Sequence, residues 1–161
     1  MKYKNRISYN DTVTFHINGQ TVKGFHVESA HTDGDTIMYF PDVNVIHAGD
    51  TYFNGIYPFI DSSSGGSIAG MIRANERVLA LADDDTKIIP GHGALSNRQE
   101  LEIFRQMLID IKLKTEKAIA EGMSLEEFIA SNPVAEYDAD WGEGFLNAEK
   151  FLTIVYRGLA E

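Results

Sequence analysis

Residues 31–61 read HTDGDTIMYFPDVNVIHAGDTYFNGIYPFID, and the fold follows from this stretch. Two short runs rich in β-formers, 36–40 and 44–47, are joined by Pro41-Asp42-Val43 and predict a pair of strands. His31 opens H-T-D-G-D before the first run, and Asp50 closes A-G-D just past the second. Upstream, the runs 11–17 and 20–27 flank Asn18-Gly19, the strongest short-range hairpin signal a sequence carries. Pairing across that turn puts Val13, Phe15 and Ile17 on one face with Val22, Gly24 and His26, a face expected to be buried. Thr12, Thr14, His16, Thr21 and Lys23 fall on the other, mostly polar face, with His16 pointing outward. Downstream, 87–89 predicts a fifth strand that ends at Pro90 and runs into P-G-H-G (90–93), which carries His92.

Helical periodicity fills the rest. Ser67 caps a predicted helix whose Ile68, Met71, Ile72, Val78, Leu79 and Ala82 share one face. Asn97 and Glu100 begin a second, with Leu101, Phe104, Leu108, Ile111 and Ile119 as its stripe and Gly122 as its stop. Ser124-Leu-Glu-Glu127 is a capping box for a short helix that breaks at Asn132-Pro133. A last helix runs from about 146 to 159, with Leu152, Val155, Tyr156 and Leu159 inward. Strands precede helices, apart from the Ser67-capped helix before the fifth strand, so one sheet covered by helices on one face is expected. A strand-rich part (7–50) and a helix-rich part (67–161) would form one domain, since 161 residues suffice for a single core.

Composition narrows the function classes. A net charge of −10 with no Lys/Arg stripe argues against a nucleic-acid partner. No run approaches the roughly 18 apolar residues of a membrane span, and Met1-Lys-Tyr-Lys-Asn is followed by no signal-peptide core, so the default location is cytoplasmic. With no cysteine, a metal site must be built from imidazole and carboxylate.

His31, Asp50 and His92 form that donor set. Each lies at the end of a strand-like run beside glycine, where the backbone can bend tightly around an ion. Two neutral imidazoles and a carboxylate suit Zn²⁺, Fe²⁺ or Mn²⁺, and three protein ligands leave positions open for water. Other acidic and histidine residues have plainer readings. Asp33 and Asp35 set a turn around Gly34, Asp83-Asp84-Asp85 is a solvated helix exit, and His47 supports the loop before Asp50. Ser62–Ser67 lacks the G-x-x-x-x-G-K-[ST] pattern and reads as a helix entry. Trp141 anchors the last connection against the core.

With the motifs H-T-D-G-D, A-G-D and P-G-H-G in this order, the chain resembles the metallo-β-lactamase superfamily of metal-dependent hydrolases from about Asp11 to about Leu108. The resemblance implies the C-terminal half of an αββα sandwich. It implies His31 on a first metal, Asp50 bridging two metals as the catalytic carboxylate, and His92 on the second. Members also carry H-x-H-x-D-H upstream, absent here, so the zinc site is expected to be partial or shared. Residues 52–61 resemble a segment that lines the active-site floor, giving Tyr52, Phe53 and Tyr57 two readings, as substrate-pocket wall or as packing against the sheet. The expected substrate is a small ester, lactone, thioester or amide. A half-sandwich leaves one sheet face bare, so a homodimer through that face, or a separate N-terminal half, is the expected partner. Alternatives are an inactive dimerising remnant, a metal-binding module, or a fragment of a longer hydrolase.

Overall fold

The computed structural model describes residues 9–160. The Met1–Asn5 stretch and the first two residues of the expected strand-rich part lie outside the described residues. Five strands form one sheet in the order β1-β2-β3-β4-β5. β1 (Thr12–Ile17) and β2 (Gln20–Val27) pair antiparallel in the predicted register, with Ile17 opposite Gln20. Asn18 and Gly19 both take positive φ, 52° and 76°, the type I′ geometry that matches the strands' twist. β3 (Asp35–Phe40) continues the antiparallel meander into β4 (Val45–Phe53). β4 then crosses through α1 (Ile68–Leu81) to β5 (Lys87–His92), which runs parallel to it on the sheet edge.

Two strands run further than the sequence predicts. β4 does not stop at His47. It continues through Asp50 to Phe53, with a register shift at Gly49, whose φ is +58°. β5 does not stop at Pro90, because an edge strand tolerates the missing N–H there. The extensions matter: they place Asp50 and His92 on the ladder, not in loops.

Helices cover one face. α1 packs on β4, α2 (Arg98–Ala120) packs on α1 and β4, and α5 (Ala148–Ala160) packs on α2 with α3 (Leu125–Ala130) beside it. α4 (Asp138–Trp141) is a single short turn. The predicted caps form: Ser67 Oγ accepts from Gly70 N, Asn97 Oδ1 accepts from Glu100 N, and Ser124 and Glu127 close a full capping box. The core joins Val27, Ile37, Ile46, Ala48 and Ile88 of the sheet to Met71, Val78, Phe104, Met107 and Phe151 of the helices. Buried Asn75 on α1 donates to the Thr51 carbonyl and so ties α1 to β4 next to Asp50.

The opposite sheet face is bare. Strand alternation puts Val13, Phe15, Val22, Met38, Phe40 and Val45 there, all only half-buried, with Ile17 54% and Ile89 36% exposed. Burial of the Val13–Phe15–Ile17 face is therefore not achieved within the described residues of this chain. The helices take the other face of the sheet, and no second layer among the described residues covers this one. No helix is long and apolar enough to cross a membrane among the described residues.

Candidate metal centre

β2 runs antiparallel to β3, β3 antiparallel to β4, and β4 parallel to β5, so the C-terminal ends of β2, β4 and β5 emerge at one edge. His31 in the β2–β3 loop, Asp50 on β4 and His92 at the end of β5 meet there. His31 Nε2 stands 3.8 Å from Asp50 Oδ2, and His92 Nε2 stands 3.5 Å from Asp50 Oδ1. Each imidazole thus faces its own oxygen of one carboxylate. All three residues keep solvent access.

Tautomer and orientation are set by neighbours. His31 Nδ1 lies 2.8 Å from the Phe59 carbonyl, which can only accept, so Nδ1–H donates and Nε2 is left as the lone-pair atom. The His92 ring stacks on Phe53, centroids 4.9 Å apart and 16° from parallel. The His31 loop is latched by the 62–64 turn: Asp61 N donates to His31 O, and Asp33 N to Ser64 O. Asp61 accepts from Ser63, Ser64 and the Ser64 N–H, and these bonds hold its carboxyl below the usual carboxylate range. Glycines permit the close approaches. A Cβ on Gly91 would sit 2.1 Å from Asp50 Oδ1, and one on Gly66 would sit 2.1 Å from His31 O.

Among the described residues, no three His, Cys, Asp or Glu side chains enclose an ion by themselves. The two pairs nonetheless fit part of a coordination sphere. Two ligands of one tetrahedral zinc stand about 3.4 Å apart when the bonds are about 2.1 Å, close to both separations here. One imidazole and one carboxylate oxygen would be available to each of two positions, and zinc normally asks for three or four protein donors.

The aromatic residues divide differently from the expectation. Phe53 is buried directly under the site, 6.3 Å from His31 and stacked on His92. Tyr52 and Tyr57 are fully buried and line no open surface of this chain. Tyr52 shares a hydrogen bond with Ser96 Oγ and packs on Phe104, while Tyr57 stacks on Phe151. Burial pushes the Tyr52 hydroxyl up to about 12, and burial with the nearby Asp138 carboxylate pushes Tyr57 higher still. An unfolded tyrosine ionises near pH 10. The neutral forms therefore stabilise the fold fully below pH 10, and that contribution is lost as pH rises toward about 12. Chemical denaturation at pH 9 and pH 11 should show a falling midpoint, and Tyr52→Phe should flatten the fall; equal slopes in both proteins would contradict this.

Plainer residues behave as read. His47 Nδ1 accepts the Gly49 N–H at 3.0 Å, supporting the bulge before Asp50. His16 is exposed, and His26 Nε2 contacts the Asp33 carbonyl. Asp35 accepts from Thr32 N, and Asp83 accepts from Asn44, Asp85 N and Thr86, both as turn carboxylates. Trp141 is buried and stacks on Phe104. Phe59, inside the 52–61 segment but not singled out there, and Phe145, which had no signal in the sequence pattern, also flank the histidines.

No family model matches the chain, and no curated protein matches it in sequence. Solved structures do match. A stereoselective inverting sec-alkylsulfatase, Pisa1, from Pseudomonas sp. is 18% identical, with 93% of this chain and 26% of that chain covered and a TM-score of 0.68. A metallo-β-lactamase from Pontibacter korlensis is 16% identical over 64% of this chain and 48% of its own, at TM-score 0.55. The B3 metallo-β-lactamase BLEG-1 is 21% identical over 65% and 48%, at TM-score 0.52. The fold is thus the metallo-β-lactamase fold, seen as a mixed five-stranded sheet with helices on one side. This chain spans between a quarter and a half of the solved chains it matches.

Proposed function

We propose that this chain is one half of a metal-dependent hydrolase acting on a small ester, with His31, Asp50 and His92 as its contribution to a two-metal centre. The carrying observation is that two imidazole Nε2 atoms face opposite oxygens of a single carboxylate. Zinc bound there would supply a Lewis acid for the ester's oxygen and an activated water. The chain's own residues hold and orient. The Phe59 carbonyl fixes the His31 tautomer, Phe53 supports the His92 ring and closes the floor against water, and Asp50 spans the two positions. Sulfate esters of alkyl alcohols are the first substrates to test. The sulfatase match takes in 93% of the chain, against 64% and 65% for the β-lactamases, and so has to include most of the helices past residue 120. Lactams and lactones complete the panel.

The missing donors and the bare sheet face call for one partner layer. A second sheet facing Val13, Phe15, Met38 and Phe40 would bury them and bring further ligands to the same edge. That layer is a separate N-terminal half or, for the chain alone, a second copy related by a two-fold axis. Light scattering on the purified chain should give a dimer, and Phe15→Glu with Met38→Glu should return it to monomer with at least about tenfold weaker association. A monomeric parent chain would remove the homodimer. The hydrolase reading is tested by zinc uptake and turnover of the ester panel in the parent and in Asp50→Ala; equal uptake and equal rates would end it.

A further inference from the structure

Two phenylalanines stand out of the core on either side of the histidines. Phe59 is 38% exposed although its neighbours Pro58 and Ile60 are buried. Phe145 is 55% exposed although Leu146 beside it is buried. Neither ring belongs to a loose segment. The Phe59 carbonyl holds His31 Nδ1, so its backbone is anchored at the site. The Phe145 loop is fixed at three points. Tyr57 N donates to Trp141 O, Trp141 stacks on Phe104, and Gly144 sits so close to Ile56 that a Cβ there would be 2.8 Å from it. The backbone that carries each ring is ordered, and the ring itself is held in water.

Their placement follows the site. The Phe59 ring meets His31 edge-on at 5.8 Å, and the Phe145 ring lies 6.1 Å from His92. Phe53 fills the floor between them, 6.3 Å from Phe145. The rings run in the order Phe59, His31, Phe53, His92, Phe145, with Phe53 buried beneath the histidines and Phe59 and Phe145 exposed at the two ends. Single exposed apolar residues need no explanation, but two rings held at either end of one polar centre offer surfaces to an apolar ligand group.

We propose that Phe59 and Phe145 are the two jaws of a subsite that takes the apolar part, alkyl or aryl, of a substrate whose polar head lies at Asp50. This rests on the hydrolase reading above and adds to it the class of substrate: an ester carrying a chain of several carbons, not a small fully polar one. Phe145 reaches the site from the connection before α5, far along the chain from the ligand motifs, so selectivity and metal ligation are encoded separately.

The test titrates the full chain, in the presence of zinc ions, with n-alkylphosphonates from methyl to octyl. Affinity should rise about two- to fourfold per added methylene as the chain enters the jaws. Phe145→Ala should at least halve that gain while leaving methylphosphonate binding unchanged, and Phe59→Ala should at least halve the gain as well. Both variants remove an exposed ring, and melting curves check that they fold. An octyl compound that binds no better than methyl, or a gain untouched by both variants, overturns the proposal. A shift in oligomeric mass in the variants with the gain intact also overturns it and gives the rings to a protein contact. Methylphosphonate binding that ignores zinc and Asp50→Ala would fail the hydrolase reading and the placing of the head at Asp50, whereas a chain-length gain that depends on the rings would still assign the two jaws.

Discussion

Gly70→Ala is expected to destabilise the protein by about 2 kcal/mol, although alanine is the better helix former. On propensity alone the substitution in α1 gains about 1 kcal/mol. Against that, the new Cβ would sit 1.8 Å from the Ser29 carbonyl oxygen and 2.4 Å from its carbon. Both are backbone atoms that cannot rotate away, and overpacking of this kind costs about 3 kcal/mol. The net loss corresponds to a drop of about 4–8 °C in melting temperature for a chain of this size. The effect should reach the site as well. Ser67 N and Oγ both hold the Ser29 carbonyl, two residues ahead of His31, so pushing that strand exit off α1 moves the ligand loop. Gly122→Ala is the control. Nothing lies within 4 Å of its Cβ position, and only its φ of +75° opposes the change, for about 1 kcal/mol. Thermal denaturation with Gly70→Ala as stable as the parent would show that α1 and the 28–31 loop are not in contact as described.

Asp50→Ala is expected to remove metal binding while leaving the fold in place. The side chain is 41% exposed and makes no hydrogen bond that supports the sheet among the described residues, so little stability is expected to depend on it. Both of its oxygens face a histidine, one toward each. His31→Ala or His92→Ala should therefore lower the zinc equivalents bound by about half, whereas Asp50→Ala should weaken both positions by more than about 100-fold. Asp50→Asn separates charge from shape, because an amide presents one acceptor oxygen and no charge to two cations. Elemental analysis and calorimetric titration of the parent and the four variants give the ordering directly. Identical zinc content in the parent and Asp50→Ala would remove the centre. Turnover of any ester in the panel should fall to background in the same variant.

Much of this architecture is legible one segment at a time. Asn18-Gly19 dictates a turn because both residues accept positive φ, and the hairpin register follows from its length. Ser67, Asn97 and the Ser124–Glu127 pair mark helix starts because their side chains satisfy N–H groups that a helix leaves open. That His31, Asp50 and His92 meet at one edge is in keeping with their reading as imidazole or carboxylate next to glycine at the ends of apolar runs. Strand lengths were not. Periodicity ends where glycine and proline begin, but a ladder partner can carry a strand past both, as β4 and β5 do for one another around Gly49 and Pro90.

Side-chain direction was the larger gap. Tyr52, Phe53 and Tyr57 share one aromatic segment and one pair of readings, yet only Phe53 reaches the histidines, while the two tyrosines close on Ser96 and Phe151. Phe59 lies in that same segment and Phe145 lies more than fifty residues beyond His92, with nothing in composition or spacing to join them. Local chemistry, acting over a few residues through φ preferences, caps and alternation, was enough for the elements and for naming the candidate residues His31, Asp50 and His92. Which face stays bare, which oxygen meets which imidazole and which rings flank them depend on contacts between segments distant in the chain, and those exist only once the helices have chosen one side of the sheet.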